Sequence, residues 1–425
     1  MTVLVLHHRG SLVGTPYDQW LADHDGDVLL ITSREHLALV GEELPAEGGG
    51  YARTAAVDGY ETSGELEELA LALAREHEIR YVVACQERDL ERAAELRDIL
   101  GLPGQRMDTV LPYRDKVVMK RRALAAGLRV APYREIECAT ELVGFAEEHG
   151  FPVVLKPRDS AGSVGLRILE SRADLDDYLA DGFDLYGPYQ PNLMAEAFVH
   201  GSMCHVDGLV VDGRVVLSWP SQYQYTLASF ATDTGPRLDL TLDVGDPLAQ
   251  RLLAFTEQAL GALSGPEHFA FHAEFFHTPE DELVLCEIAC RTGGAAIRDI
   301  VRTLFGVDPS ESWVRAQLGL PLPEWLGRTG PEKLTPRQMS GQLVLMKRPG
   351  RVVAIPEVPP AFPWIEKYQV FVGPGQTMKA AAFSSDFLLT ALVSGADQAE
   401  CRARLQVLEE WFLGELVLEP LGGNG

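Results

Sequence analysis

The chain has 425 residues, 46% of them hydrophobic, with 37 basic against 62 acidic side chains and a formal charge of -25. That length exceeds one simple core and predicts two to four domains. The acidic balance disfavours non-specific binding to nucleic acid or an anionic membrane, while leaving room for a local basic pocket that holds phosphates.

The opening MTVLVLHHRG has no basic segment before its apolar run and no small-residue cleavage site after it, so it reads as a first strand and not a signal peptide. No apolar run approaches the roughly 18 residues of a membrane span. The six cysteines include no CxxC pair and make no disulfide scaffold. The expectation is a soluble cytoplasmic protein.

Residues 1–108 alternate strand and helix signals. TVLVLH, DVLLIT and RYVVAC are short β runs, separated by GELEELALALAREHEI and ERDLERAAELRDILG with helical apolar spacing. This is the pattern of an open α/β domain with a mainly parallel sheet. No GxGxxG follows its first strand and no GxxxxGK[ST] occurs in the chain, which leaves a nicotinamide dehydrogenase or a P-loop enzyme with little support.

Residues 109–200 contain, near their start, YRDKVVMKRRALAAGL, read as one helix with a dense basic cluster. A second helix follows, and then FPVVLKPRDSAGSVGLRIL as strand, glycine-serine turn and strand. SRADLDDYLADG is a helix that Ser171 can cap. In residues 201–334, CHVDGLVV and GRVVLSWP are strands joined at an Asp-Gly turn, and 247–264 is a helix. Next come a hairpin and a helix from about 295 to 305. Residues 335–425 run from strand-like GQLVLMKRPGRVVAI to helical DQAECRARLQVLEEWF, a small α/β lobe expected to close over the centre.

The hairpin HAEFFHTPEDELVLCEIACRTGG, residues 272–294, carries the strongest chemical signal. If PEDE (279–282) is a four-residue loop, Thr278 faces Leu283 and the ladder sets Glu274 opposite Glu287. Opposed residues on antiparallel strands have Cβ atoms roughly 5 Å apart, so two carboxylates repel unless a cation compensates, and Mg²⁺ carrying phosphates would do so. The competing account is a different register with one glutamate in solvent. Cys286 and Cys290 near His272 and His277 match no zinc spacing.

Lys156 ends an apolar strand, where an ammonium is costly without a partner. Ser160, Gly162, Ser163 and Gly165 form a flexible turn whose backbone N–H groups could wrap phosphate. Lys116 and Lys120 add positive charge, or else lie on a solvated helix face. In MAEAFVHG, Glu196 is either an edge charge or a carboxylate offered to an adenine amine, with Phe198 enclosing the ring.

The ordered series RDKxxMK, VLKPRxSAGSxGL, AExFVxG, AEF and CEIAxRTGG resembles the ATP-grasp superfamily across roughly residues 110–305. Within it the likeness is to the carboxylate-amine ligase branch, including L-amino-acid and dipeptide ligases, with a nucleotide site similar to that of biotin carboxylase. The resemblance implies an ATP-grasp fold, α/β and α+β, with an N-terminal open α/β domain and a C-terminal α/β lobe. It implies ATP as co-substrate and Mg²⁺, with Mn²⁺ as a substitute. Lys116 and Lys156 would reach the phosphates under the 160–165 lid, and Glu196, Phe198 and Val199 would meet adenine. Glu274 and Glu287 would be the metal carboxylates.

In the same scheme Arg291 would steady the transferring phosphoryl group, with Gly293 and Gly294 offering backbone N–H groups. Arg298 would grip a substrate carboxylate, and His205 and Asp207 would line the ribose or substrate side. One departure stands out: the family's Glu-x-Asn-x-Arg run here has Ala289 in place of asparagine.

The implied reaction joins a small-molecule carboxylate to an amine, with amino acids or small peptides as substrates, no nucleic acid or membrane partner, and a homodimer as one assembly. The rivals are a carboxylase, a nucleotide-pathway ligase and a catalytically silent nucleotide-binding protein. Trp219, Tyr223, Tyr225 and Phe230 hint at a sizeable or aromatic substrate, or else at core packing.

Overall fold

The computed structural model describes residues 1–181, 192–225, 235–326, 334–382 and 385–421. The first sheet is parallel, ordered Arg53–Val57, Val28–Ser33, Thr2–His7, Ile79–Ala84. TVLVLH and VLLITS are buried at every position, as strands covered on both faces must be. The edge strand RTAAV, small and half-exposed, escaped the sequence pattern for the same reason: it has neither bulk nor alternation.

The expected single basic helix is in fact two, Met107–Arg114 and Lys116–Ala125. Asp115 breaks the run by turning extended. Its carboxylate accepts the N–H groups of Val117 at 2.8 Å and Val118 at 3.2 Å, an N-cap in the middle of the sequence pattern. Lys116 is thereby fixed on the first helical turn.

A four-stranded antiparallel sheet follows, ordered Tyr133–Ile136, Leu193–Ala197, Val153–Pro157, Arg167–Leu169. The largest sheet has eight antiparallel strands, in the order Leu283–Ala289, Phe269–His277, Ser202–Val211, Arg214–Tyr223, Arg237–Thr241, Met339–Met346, Phe387–Gly395, Ile365–Val370. Asp212 and Gly213, both at positive φ, make the expected tight turn.

The last three strands of this sheet lie beyond residue 335. They do not form a separate layer, because Arg237–Leu240 pairs directly with Gly341–Val344 and carries the sheet across. Parallel α/β and antiparallel α+β architecture therefore coexist in one mixed α/β molecule. Among the described residues, no helix is long and apolar enough to cross a membrane.

Candidate active site

The hairpin closes one residue earlier than its sequence predicts. His277 pairs with Leu283 around a five-residue connection, stabilised by Thr278 N–H to Glu282 O at 2.9 Å and by Asp281 at positive φ. That shift alone would misalign the glutamates. A bulge at Cys286 absorbs it, so Glu274 still faces Glu287.

On its other side Glu274 faces His205, which in turn faces Ser221, and further along the sheet Asp239 faces Gln342. This face thus carries a row of buried polar side chains from the glutamates into the C-terminal strands.

Hydrogen bonds knit the first part of this row. His272 joins Glu274 Oε1 at 3.3 Å and Asp207 at 2.8 Å, while His205 joins Asp207 at 2.5 Å and Asp239 at 2.9 Å. Burial disfavours the imidazolium forms, but the carboxylates outweigh it: His272 is raised to about 9 and His205 goes well above its ordinary value. Burial likewise opposes ionisation of Asp207, yet His272 and His205 hold it at about 2.

Asp207, His205 and His272 bring ligand-type atoms within 4.8 Å of one another. Bonded as they are, they act as a brace behind Glu274. His205, expected at the nucleotide, is fully buried with both ring nitrogens engaged, and it does not line the cavity.

A cavity of about 360 Å³ lies between the four-stranded and eight-stranded sheets. Lys116, Lys156, Ser160, Gly162, Ser163, Glu196, Phe198, Val199, Glu274 and Glu287 all line it. The lysines are not on a solvated face, since Lys116, Lys120 and Lys156 are all buried. Lys116 Nζ lies 3.3 Å from Glu287 and donates to Ser160 O at 2.5 Å, tying the Glu287 carboxylate to the glycine turn.

Glu196 sits between Lys156 at 2.9 Å and Lys120 at 3.4 Å. Burial would raise its carboxyl, but the two ammoniums win and lower it. Its carboxylate therefore orients the lysines, a task the sequence did not disclose. Gly165 does not line the cavity; at positive φ, any Cβ there would meet Pro157 at 2.8 Å, so it packs the base of the turn.

Arg291 pairs with Glu87, which follows the strand Ile79–Ala84 of the first sheet and also pairs with Arg114. Burial opposes ionisation of Glu87, but Arg291 and Arg114 hold it at about 2. Glu87 went unnoticed in the sequence. The available signal was its place just past the carboxyl end of a parallel strand, where open α/β sheets gather ligand-binding groups.

Ala289 borders a gap of about 20 Å³ beside Lys116, Glu287 and Arg291, room for one water where a longer side chain would stand. A chamber of about 320 Å³ opens on the far side of the glutamates, lined by Arg291 and Gly294 among others. Gly293 packs under the next helix, where a Cβ would meet Ile297 at 2.7 Å.

Arg298 is not brought to this centre. Its Nε lies 2.9 Å from both oxygens of Asp308, its guanidinium stacks over Trp20, and it lines a separate cavity. Of the aromatics, Tyr223 and Tyr225 line the chamber, whereas Trp219 is core, with Nε1 donating to Leu242 O at 2.8 Å. Phe230 lies outside the described residues.

The family model for the carbamoyl-phosphate synthase L chain, ATP binding domain, matches residues 115–206. The L-arginine-specific L-amino acid ligase of Bacillus subtilis is 25% identical over 254 residues, covering 58% of this chain and 60% of its own. D-alanine--D-alanine ligase A of Chromobacterium violaceum is 28% identical over 280 residues, covering 63% and 70% respectively.

The crystal structure of L-amino acid ligase from Bacillus licheniformis superposes with a TM-score of 0.75 over 99% of both chains, at 16% identity. The biotin carboxylase domain of the Hydrogenobacter thermophilus 2-oxoglutarate carboxylase gives 0.70 over 98% of this chain and 90% of its own, at 14% identity. With the shared fold extending along its length and the ordered motifs meeting around one cavity, the chain resembles the ATP-grasp superfamily and, within it, the carboxylate-amine ligases.

Proposed function

We propose that the protein is an ATP-dependent ligase that forms an amide or peptide bond between an amino acid or small peptide and an amine. The carrying observation is that Glu274 and Glu287 face each other at the junction of two cavities, ringed by Lys116, Lys156 and Arg291. In this scheme a substrate carboxylate oxygen attacks the γ-phosphorus of ATP and ADP leaves. The amine nitrogen then attacks the acyl carbon, phosphate leaves, and the nitrogen gives up a proton to solvent.

The donor set suits a hard divalent cation: two opposed carboxylates, of which Glu287 is kept ionised because Lys116 and Lys156 outweigh its burial. Glu274 and Glu287 would hold Mg²⁺ or Mn²⁺, which when bound neutralises phosphate charge. Lys156 and Lys116 place fixed positive charge along the cavity, and Arg291 supplies it on the substrate side. The 160–165 turn borders both cavities through Gly162 and Ser163, where it can keep water from the acyl-phosphate. Ala289 leaves space for a water in place of the family's asparagine. Six free cysteines and an ATP requirement suit the cytoplasm.

The test is amine-dependent release of ADP and phosphate, screened across amino acids singly and in pairs at high Mg²⁺. Release with particular pairs is expected. No release with any pair would overturn the ligase assignment in favour of a silent nucleotide-binding protein.

A further inference from the structure

The 320 Å³ chamber beyond the glutamates has two unlike surfaces. Its floor continues the polar row of the eight-stranded sheet: Glu287, Glu274, then Arg237 and Gln342 on the adjoining strands 237–241 and 339–346. Its apolar and aromatic wall is formed by Tyr225, Ile297 and Phe387 together with Tyr223 and Val344, which rise from the same sheet face as the polar floor, Val344 directly opposite Arg237. Gln342 is buried, and its Nε2 finds no hydrogen-bond partner among the described residues. Oδ1 of Asp239, which faces Gln342 across the strands, is also without one. A buried amide donor left unmet is costly unless a bound group accepts from it. The chamber meets the nucleotide cavity at Glu274 and Glu287, so whatever occupies it lies at the reacting centre.

We infer that this chamber selects an α-amino acid with an aromatic or large apolar side chain. The backbone end lies on the polar floor, where a carboxylate or carbonyl oxygen accepts from Gln342 Nε2. The side chain packs on the wall of Ile297, Val344 and Phe387. Selectivity is thus set by the C-terminal strands and the start of the helix Ile297–Phe305, on residues outside the nucleotide cavity, and a chamber of this size admits one amino acid or a small peptide. This inference rests on the proposed ligase function and names the substrate class of the same site.

The experiment is calorimetric titration of the full chain, saturated with Mg²⁺ and adenylyl-imidodiphosphate, with L-phenylalanine and L-alanine. L-phenylalanine is expected to bind at least tenfold tighter, since each methylene in an apolar pocket carries roughly tenfold or more. Val344→Trp, which fills the wall, should weaken L-phenylalanine at least tenfold and cut its preference over L-alanine, with nucleotide binding showing that the fold is intact. Gln342→Leu should weaken both amino acids. Should Val344→Trp fail to fold, Phe387→Ala at the chamber's edge should reduce the preference below threefold.

Equal binding of the two amino acids, binding of neither, or an unchanged preference in both wall variants would overturn the inference. Selective binding without ADP release in any pairing would instead sink the ligase assignment and leave the chamber's selectivity standing. ADP release indifferent to side-chain size would do the reverse.

Discussion

Single charges at this centre are informative because each is buried beside a named partner. Glu287→Gln keeps the shape of the side chain but removes the charge that Lys116 faces at 3.3 Å. Turnover should fall at least about a hundredfold, as when one preorganised electrostatic group is lost, with the fold intact by circular dichroism. Retained turnover would refute a metal role. Glu87→Gln tests a different function, holding Arg291 in place from beyond the end of a strand of the first sheet. Its kcat should fall about tenfold or more with the KM for ATP unchanged, because Glu87 does not line the nucleotide cavity. Equal losses in both parameters would place Glu87 at the nucleotide instead. The sequence made Glu287 legible through its hydrophobic flanks, but the only local mark on Glu87 was its place just past a strand end, and its partner lies 204 residues away.

At the scale of strands, the glutamate pair depends on two compensating irregularities. The early turn at His277–Leu283 and the bulge at Cys286 each move the register by one, and together they restore it. The expected four-residue loop therefore reached the right pairing through the wrong turn. A bulge has no signature in this hydrophobic run, which is why the ladder could not be drawn from sequence.

The middle strand Ser202–Val211 is pinned by Gly208. A Cβ there would lie 2.5 Å from both Leu217 O and the Phe271 ring, and the Leu217 oxygen cannot yield without moving the neighbouring strand. Gly208→Ala should destabilise the protein by about 1–3 kcal/mol or more, seen as a lower urea midpoint at unchanged slope. An unchanged midpoint would mean the sheet opens there at little cost.

For the molecule as a whole, the first sheet and the eight-stranded sheet are joined by polar contacts and not only by apolar packing. Arg291 meets Glu87, Arg298 donates to Gly14 O at 3.0 Å, and Arg315 reaches Trp20 O at 2.8 Å and Asp23 at 2.6 Å. Near this seam lies a fully buried acid, Asp89, which accepts the backbone N–H of His8 at 2.9 Å. Burial raises it from 3.8 to about 7.

A carboxyl raised on folding contributes stability in full below its unfolded value, and that contribution is lost as pH rises through the folded value. The window here is pH 4 to 7. Asp89→Asn should match the parent near pH 4 and exceed it at pH 8, by a difference on the order of 4 kcal/mol for a three-unit shift. Denaturant titrations at both pH values measure it, and a difference that stays flat would mean Asp89 is ionised in the folded protein at neutral pH.

The order of motifs along the chain carried the family resemblance and singled out the lysines, the glycine turn and the two glutamates, because each depends on neighbours within a few residues: an apolar strand ending in lysine, or a carboxylate inside a hydrophobic hairpin. Tertiary structure decided what those residues face. It set Glu196 between two lysines instead of leaving it open, sealed His205 behind Glu274, and committed Arg298 to Asp308. It also carried the sheet across residue 335, so that Gln342 and Val344 line the same chamber as Glu274 and Glu287. Those outcomes arise from strand pairing and burial between segments far apart in the chain, where a charged side chain must take whichever partner the fold brings near.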